Sequence, residues 1–344
     1  MRTTTVFFIL LLAGLACLQS CKKDSVETGP LFKKGDVLFI GGGVDTNGHV
    51  VAAYWKNNVM TRLSNDPYNL AGAAMTTGLA VSGNDLYAVG YVSNPVMETA
   101  AVYWKNGVLI RLADWGSYAN SIYISGTDVY IAGTVSNKAV YWKNGVLNTL
   151  SGNPLQNSDA ESVFVSGNDV YVSGAADDGS LSYSFLKAAY WKNNVPVQLT
   201  GGVYSRATGI SVVGTDIYIC GYTANASSLQ VATLWKNGIP SFLETTSSMI
   251  FAMTISGSDI YAAGLATANN GATYWKNGVS VSLGGVASGS PTLSSAANCI
   301  AVSGTDLYIG GQAGPNYQSA TIWKNGVETK LSDVGTITGI YIVP

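Results

Sequence analysis

Few residues in this chain have the types and spacing that catalysis requires. His49 is the single histidine among 344 residues, so a Ser-His-Asp or Cys-His site would depend on it, and no nucleophile motif accompanies it. Zinc sites need clustered Cys and His, whereas Cys220 and Cys299 are far apart in the sequence and are expected to be buried free thiols. No glycine-rich phosphate loop opens a helix. We therefore expect no metal, no cofactor and no catalytic residue.

Paired carboxylates are the one catalytic arrangement that these residue types and spacings leave possible. Hydrolysis of a glycosidic bond needs two carboxyl groups about 5–10 Å apart, and Asp177-Asp178 is such a pair in sequence. Adjacent acids in a loop are usually solvated, so we expect a protein that is not an enzyme. The alternative is a carbohydrate-active enzyme that uses loop carboxylates.

A set of aromatic residues and one arginine indicates binding rather than catalysis. Trp, Tyr and Arg are the usual anchors of binding surfaces, and flat aromatic rings beside carboxylates suit sugar rings. The candidate binding residues are Tyr68, Trp115, Tyr118, Tyr183, Tyr204, Arg206 and Tyr317. We expect a glycan or a protein as the ligand. In the alternative, these side chains only pack loops, and the protein is a structural spacer without a specific ligand.

The elements that would position these residues follow from a repeat of about 45 residues. Each repeat contains Trp-Lys-Asn-(Gly/Asn), preceded by Gly-(Asn/Thr/Ser)-Asp-aliphatic-Tyr or a degenerate copy of it. The tryptophans are Trp55, Trp104, Trp142, Trp191, Trp235, Trp275 and Trp323. Asn-Gly is the preferred type I′ hairpin turn. Four short strands per repeat, named a to d, without helical periodicity are typical of propeller blades.

The two ends of the repeat region predict how the ring closes. The region begins at Gly35 with a strand b and ends at 338–342 with a strand a. Each strand type then occurs seven times, and the last strand completes the first blade. We predict an all-β fold over residues 35–344, a seven-bladed β-propeller with four antiparallel strands per blade. Closure by the C-terminal strand is expected because an open ring would expose strand edges.

The repeats resemble those of kelch proteins, in which a strand that ends in paired glycines precedes a Tyr-bearing strand and a strand near a Trp. The glycine pair is present at Gly41-Gly42 and Gly310-Gly311. The repeats also resemble bacterial extracellular HAF-type repeats, whose strand c carries an aromatic-Trp-x-x-Gly pattern. The resemblance implies the fold and says almost nothing about function, because propellers serve many functions.

The first 34 residues predict a lipid-anchored protein. After Met1-Arg2, an uncharged stretch runs to Ser20, and its apolar centre at 6–18 is too short to span a bilayer core of about 30 Å. Leu18-Gln19-Ser20-Cys21 resembles a bacterial lipobox, with Cys17 as the rival site and an ordinary cleaved signal peptide as the alternative. We expect a lipoprotein signal peptide at 1–20, and a lipidated Cys21 with a tether at 21–34.

The residues after the cysteine extend this resemblance. Cys21-Lys22-Lys23-Asp24 is similar to the start of many lipoproteins of the Bacteroidota, and Lys rather than Asp after the cysteine implies the outer membrane. The expected partners are therefore a membrane, through the lipid anchor, and a glycan or protein ligand. The protein would lie on the periplasmic or the cell-surface side.

Loop lengths and charge assign different roles to the two faces of the predicted disc. The a–b and c–d turns share one face, the tight-turn face, and the longer b–c and d–a connections share the other, the loop face. Variable loops on a rigid scaffold usually carry function. Only 11% of residues are charged, with a net charge of −2, and we expect charge only in turns and loops because both sides of each strand are buried. The loop face and its strand ends carry ten acidic residues, Asp159 and Glu161 among them, against three basic ones. This acidity disfavours a phosphate backbone, so we expect no nucleic acid as a partner.

An aspartate recurs after the a–b turn in six repeats. These residues are Asp85, Asp128, Asp169, Asp216, Asp259 and Asp306. We expect each to bond backbone groups of its own turn, with a ring of metal-binding aspartates as the alternative. The lysines of the Trp-Lys-Asn motif are expected to be solvated.

Overall fold

The protein is a ring of seven four-stranded antiparallel sheets. This computed structural model describes residues 32–44, 50–63, 73–150, 157–177, 186–202, 204–224, 227–269, 271–284, 295–314 and 319–344. The predicted signal peptide, Cys17, Cys21 and the tether up to residue 31 lie outside the described residues. In the described ranges, the one helical element is the 3₁₀ turn Thr267–Asn269, and no helix there has the length and apolar character to cross a membrane.

The strands are numbered in chain order and grouped into blades. Blade 1 contains β1 (Val37–Val44), β2 (Val50–Lys56), β3 (Val59–Arg62) and β28 (Gly335–Ile342). Blade 2 contains β4 (Ala74–Ser82), β5 (Asp85–Ser93), β6 (Thr99–Lys105) and β7 (Val108–Trp115); blade 3 contains β8 (Ser117–Ser125), β9 (Asp128–Val135), β10 (Lys138–Lys143) and β11 (Val146–Thr149). Blade 4 contains β12 (Ser158–Ser166), β13 (Asp169–Asp177), β14 (Leu186–Lys192) and β15 (Val195–Gln198).

The remaining three blades repeat the same order. Blade 5 contains β16 (Tyr204–Val213), β17 (Asp216–Ala224), β18 (Gln230–Lys236) and β19 (Ile239–Phe242). Blade 6 contains β20 (Ser248–Ser256), β21 (Asp259–Ala266), β22 (Gly271–Lys276) and β23 (Val279–Ser282). Blade 7 contains β24 (Ala296–Ser303), β25 (Asp306–Ala313), β26 (Ser319–Lys324) and β27 (Val327–Ser332).

The ring is closed by the C-terminal strand. In each blade, strand a lies beside the central channel and strand d lies at the rim. The seven inner strands contact one another in turn around the ring, and β28 contacts β4. β28 also pairs with β1, from Val37 opposite Ile342 to Gly43 opposite Gly335. The predicted all-β, seven-bladed propeller with this closure is confirmed.

The two tight turns of each blade have the predicted backbone. Both central residues of the c–d turn have positive φ in all seven blades, as at Asn144 (52°) and Gly145 (80°), which is what a type I′ turn requires. Asn takes the second position at Asn58 and Asn194, because it tolerates the left-handed region better than other side chains. These short turns hold the hairpins in register and leave the opposite face to the longer connections.

The motif tryptophans fill the spaces between neighbouring blades. All seven are at most 1% exposed. The cluster that contains Trp191 of blade 4 also contains Ala139 and Leu150 of blade 3. Truncating a buried Trp to Ala typically costs about 3–5 kcal/mol, so these rings are a main source of cohesion between blades.

In six blades, the aspartate after the a–b turn binds the lysine and the first asparagine of the Trp-Lys-Asn motif, so that these side chains join the two tight turns. Two expectations about these residues were wrong. In blade 3, Asp128 Oδ2 pairs with Lys143 Nζ at 2.8 Å, and Asp128 Oδ1 accepts a hydrogen bond from Asn144 Nδ2 at 2.8 Å. The Lys143 ammonium also lies 5.2 Å from the centre of the Tyr130 ring. The aspartate therefore binds side chains of the neighbouring c–d turn rather than backbone of its own turn. The motif lysines are paired rather than only solvated, because the two turns lie side by side.

Strands a and b extend further towards the loop face than the sequence predicts. In blade 3, the β-rich run at 121–124 predicts a strand a that starts at Ser121, whereas the strand begins at Ser117. The extension passes through a β-bulge at Asn120, which lets a strand continue through a polar segment that resembles a loop. The added residues bring the inner strands to the loop-face mouth of the channel.

The longer strands also overturn the expectation that charge is confined to turns and loops. Asp159 and Glu161 lie within β12, and Arg206 lies within β16. Each of these charges is on an inner strand, at its loop-face end. They are tolerated there because Arg206 pairs with both carboxylates.

Candidate functional site

The inner strands present two rings of side chains at the loop-face mouth of the channel. Near the start of each strand, two channel-side residues flank a residue whose side chain is fully buried, as expected from the alternation of a strand. The first residues form the mouth ring: Met75, Tyr118, Asp159, Arg206, Met249, Ala296 and Thr336. The second residues form the bulge ring: Thr77, Asn120, Glu161, Thr208, Phe251, Asn298 and Thr338.

Each bulge-ring residue is the extra residue of a β-bulge. In blade 4, the pairing with β13 passes from Ala160 to Ser162 and leaves Glu161 without a partner in the ladder. The bulge brings strand a so close to strand b that a Cβ on Gly174 would lie 2.0 Å from Asp159 O. Equivalent glycines face the same carbonyl in the other blades. The repeated glycine is therefore what permits the bulge and turns Glu161 towards the channel.

Five bulge-ring side chains hold neighbouring blades together. Each donates a hydrogen bond to the carbonyl that precedes the bulge in the next blade. The pairs are Thr77 Oγ1 to Ala119 O at 2.7 Å, Asn120 Nδ2 to Ala160 O at 2.8 Å, Thr208 Oγ1 to Ile250 O at 2.9 Å, Asn298 Nδ2 to Ile337 O at 2.9 Å and Thr338 Oγ1 to Thr76 O at 2.8 Å. A net contribution of about 1 kcal/mol is typical of each such bond.

Two bulge-ring residues depart from this pattern. Phe251 has no donor, and an ionised Glu161 can only accept. Glu161 Oε1 instead accepts from Arg206, with Nε at 2.7 Å and Nη2 at 2.5 Å. A carboxylate thus occupies a position where other blades use a neutral donor.

Arg206 joins this carboxylate to a second one. Its Nη2 lies 3.0 Å from Asp159 Oδ2, and Asp159 Oδ1 accepts from the Ala175 backbone N–H at 3.2 Å. The side chain of Asp159 is 14% exposed and that of Arg206 is 28% exposed. These three residues, the charged cluster, are the only charged side chains among the fourteen positions of the two rings.

The charged cluster has a net charge of −1 when all three groups are ionised, and this perturbs the pKa of Asp159. Burial is the main cause that raises the pKa of this carboxyl above its ordinary value, and the negative charge of Glu161 adds to it. The Arg206 charge and the Ala175 N–H act in the opposite direction without reversing the shift. Burial lowers the pKa of Arg206, but the two carboxylates more than offset this and hold the guanidinium charged.

A cavity of about 470 Å³ opens beside the charged cluster. It is lined by the cluster, by Tyr118 and Asn120 of blade 3, and by neighbouring polar residues of the loop-face strand ends. Tyr118 is 41% exposed and packs edge-on against Tyr91, with ring centres 5.3 Å apart. The site combines carboxylate acceptors, an amide and an exposed aromatic ring, which together can bind a polar ligand.

The structure brings only part of the predicted binding set together. Tyr118 and Arg206 line the cavity, whereas Tyr204 contacts Tyr222, with 3.4 Å between the hydroxyl oxygens. Trp115 ends the outer strand β7 with its ring 4.5 Å from the Arg111 guanidinium carbon and does not line the cavity. Tyr68, Tyr183 and Tyr317 lie outside the described residues.

Sequence reasoning assigned Asp159 and Glu161 to the acidic loop face but did not select them as site residues. The missing signal was the bulge. Aligning the repeats on the glycine of strand b places Glu161 in the column of Thr77 and Asn120, and that column shows the carboxylate as an exception. If the bulge is not recognised, Asp159 and Glu161 look like solvated acids at the end of a loop.

The remaining chemical candidates are not assembled into a site. Within the described ranges, no group of three Cys, His, Asp or Glu could hold a metal ion. Cys220 and Cys299 are buried free thiols, as expected, and burial raises the pKa of both well above the ordinary thiol value. His49 and Asp178 lie outside the described residues.

Known proteins match this chain in fold but not in sequence. No protein-family model matches it, and no curated protein sequence matches it. A puromycin-hydrolyzing peptidase of Mycobacterium tuberculosis is 12% identical with a TM-score of 0.52; the match covers 88% of this chain and 53% of the peptidase, so this chain spans about half of the peptidase's length.

Two further solved structures are similar at the same low level. The β-propeller domain of the Trilobed protease from Pyrococcus furiosus is 10% identical with a TM-score of 0.50, covering 88% of this chain and 94% of that one. The computationally designed protein Ika8 is 13% identical with a TM-score of 0.45, covering 89% and 81%. The Pyrococcus domain has an open velcro topology, whereas β28 closes this ring. At these identities the likeness shows the propeller fold alone.

Proposed function

We propose that the protein is a membrane-anchored extracytoplasmic lipoprotein whose propeller binds a glycan or a protein without catalysing a reaction. The observation that supports binding is the break in the sevenfold repeat at the channel mouth. The three charged side chains of the two rings lie together beside the cavity. Folding does not require charge at this position, because five other bulge-ring residues join their blades with neutral side chains.

The binding role is tested with the purified chain on a glycan array and in pull-downs from cell-envelope extract. We expect a ligand that the wild-type chain retains and that Glu161→Thr loses. Threonine is the bulge-ring residue of three other blades, so this variant removes the carboxylate and keeps a side chain that the bulge accepts. A chain that retains no ligand in either assay is a structural spacer, and the binding role is then wrong.

The anchor is supported by the N-terminal sequence. The lipobox-like Leu18-Gln19-Ser20-Cys21 and the following lysines resemble outer-membrane lipoproteins of the Bacteroidota. Incorporation of radiolabelled fatty acid tests the anchor in cells. We expect label in the wild type and in Cys17→Ser, and none in Cys21→Ser. Label retained by Cys21→Ser would contradict this assignment, and recovery in the inner-membrane fraction would contradict the outer-membrane location.

The repeats are proposed to be of the kelch-like or HAF type. The glycine at the end of strand b supports this, since the bulge of strand a leaves no space for a Cβ there. The aromatic residue before Trp in strand c, as in Tyr141-Trp142, gives the second part of the pattern. Substituting each glycine in turn tests whether the motif is required for folding in every blade.

A carbohydrate-active enzyme is the second candidate, and the proximity of two carboxyl groups favours it. Asp159 Oδ2 and Glu161 Oε1 lie 3.0 and 2.5 Å from the same Arg206 Nη2, so the two oxygens are at most about 5.5 Å apart, which does not exceed the carboxyl separation of retaining glycosidases. The raised pKa of Asp159 would suit a general acid. Turnover of any polysaccharide by the purified chain, abolished in Asp159→Asn, would establish this activity and overturn the non-catalytic role.

A further inference from the structure

The contacts of the charged cluster show which of its atoms remain available to a ligand. Both described hydrogen bonds to Glu161 go to Oε1, and no described residue bonds Oε2. Asn120 uses Nδ2 to hold Ala160 O, which leaves its Oδ1 as an acceptor. Both residues line the cavity. The atoms that Glu161 and Asn120 leave for a ligand are therefore acceptors, which call for a donor on the ligand side.

Charge points to the same kind of donor. Two carboxylates face one guanidinium, and the described residues of the cavity lining include no other Lys, Arg, Asp or Glu. When both carboxyls are ionised the cluster carries a charge of −1, and a ligand with one positive charge would neutralise it and favour the ionised form of Asp159, whose pKa is otherwise raised. Charge-assisted hydrogen bonds from an ammonium to a carboxylate are about twice as strong as neutral ones. An anionic ligand would have no counter-charge of its own for these carboxylates and would favour the protonated form of Asp159.

The rest of the lining selects between carriers of an ammonium group. The lining beside the charged cluster offers donors and acceptors from Asn137, Asn157, Ser158 and Thr134, and Leu186 is the one aliphatic side chain among its described residues. A lysine side chain places its four methylenes along apolar surface, and the described lining offers little of it. A sugar ring instead presents hydroxyls to such a lining and one flat face to the exposed ring of Tyr118.

We propose that the cavity binds an amino sugar with a free amine, with the ammonium held by the charged cluster and Asn120 and the ring against Tyr118. This inference rests on the proposed binding function and narrows its ligand to one class. It predicts that acetylation of the amine, which removes the charge and a donor, abolishes most of the affinity.

Calorimetric titration at pH 7 with two matched ligands tests this proposal. The purified chain is titrated with glucosamine oligomers and with N-acetylglucosamine oligomers of the same length. We expect the free-amine oligomers to bind about tenfold more tightly than the acetylated ones, because one charge-assisted hydrogen bond contributes this much affinity. Glu161→Gln, which keeps the shape and removes the charge, should lose this preference. Thermal unfolding of the variant checks that it is folded, and Glu161→Thr serves as a second variant.

The outcomes separate this inference from the proposed function. Equal binding of both oligomers, unchanged in Glu161→Gln, would overturn the amino-sugar assignment and leave the glycan-binding function in place. Binding of a lysine-rich peptide in preference to either oligomer would overturn the assignment in favour of a protein ligand. If neither oligomer nor peptide binds, and the glycan array and pull-downs are also negative, both the inference and the binding function are wrong.

Discussion

Glu161 is the residue on which the functional interpretation depends. Its backbone position is that of a structural donor in five other blades, and its side chain is an acceptor. The exchange costs one inter-blade hydrogen bond of about 1 kcal/mol and is compensated by the contacts with Arg206. Glu161 thus departs from the repeat and depends on Arg206 of the next blade. Such departures are expected at functional sites.

The pH dependence of stability tests whether Asp159 is perturbed as its surroundings imply. Its pKa is raised from 3.8 to about 7 in the folded chain, so the folded state binds the proton more tightly than the unfolded state. Protonation of Asp159 therefore contributes up to about 4 kcal/mol to the free energy of unfolding. This contribution is fully present below pH 4 and is lost as the pH rises through 7. We expect Asp159→Asn to gain thermal stability relative to wild type across this range.

A matched control for this pH series is Asp333→Asn. Asp333 is 92% exposed, and its pKa is lowered by Lys330, so the sign is opposite: its small stabilising effect is present at neutral pH and is lost on acidification. The melting temperatures of both variants and the wild type are measured from pH 4 to 8. A constant difference between Asp159→Asn and wild type would show that Asp159 titrates normally.

At the scale of the strand, the bulge and its glycine act as one unit. A Cβ added to Gly174 would lie 2.0 Å from Asp159 O, and a Cβ added to Gly90 would lie equally close to Met75 O. We expect Gly174→Ala and Gly90→Ala to lower the melting temperature to a similar extent. Only Gly174→Ala should also disturb ligand binding, because only that bulge directs Glu161. A loss of binding in both variants would mean that general destabilisation, not the bulge of blade 4, determines binding.

Sequence reasoning predicted the strands well on one face of the disc and less well on the other. The tight turns depend on residues with special backbone preferences, such as Asn144 and Gly145, and local chemistry fixes them. The loop-face ends depend on contacts between blades that are far apart in sequence: Thr338 bonds Thr76 O across 262 positions. A bulge leaves no distinct local signature in a polar segment, so the sequence predicts a strand a that starts only at Ser121, after the bulge residue Asn120.

The same limit explains why only part of the site was predicted. Tyr118 and Arg206 were recognisable by residue type, and both line the cavity. The role of Glu161 depends on its being opposite Arg206 of the next blade, 45 positions away, and no short-range pattern encodes that pairing.

For the whole molecule, closure of the ring depends on a single strand. β28 supplies the inner strand of blade 1 and packs against β4 and β24. Its end also bonds the start of the propeller, with Gly35 N to Val343 O at 2.8 Å and Val343 N to Asp36 O at 2.9 Å. Closure by pairing between the two ends protects strand edges that an open ring would expose.

Deletion of residues 335–344 tests this closure. We expect the truncated chain to lose cooperative unfolding and to form soluble oligomers or aggregates, because the edge of β1 and the side of β4 become exposed. Deletion of Pro344 alone is the control, since it leaves both Val343 hydrogen bonds in place. Size-exclusion chromatography with light scattering gives the readout. A monomeric truncated chain with an unchanged melting temperature would contradict a closing role for β28.

Binding of a ligand at the charged cluster is tested most directly by one glycan-array experiment. The array is probed with the wild-type chain, with Glu161→Thr and with Thr338→Asn. Both substitutions exchange one natural bulge-ring residue for another, so both variants should fold. Thr338 belongs to blade 1, and none of the described residues of that blade lines the cavity. We expect free amino sugars to bind the wild type and Thr338→Asn but not Glu161→Thr. Equal binding by all three proteins, or no glycan bound by the wild type, would contradict it.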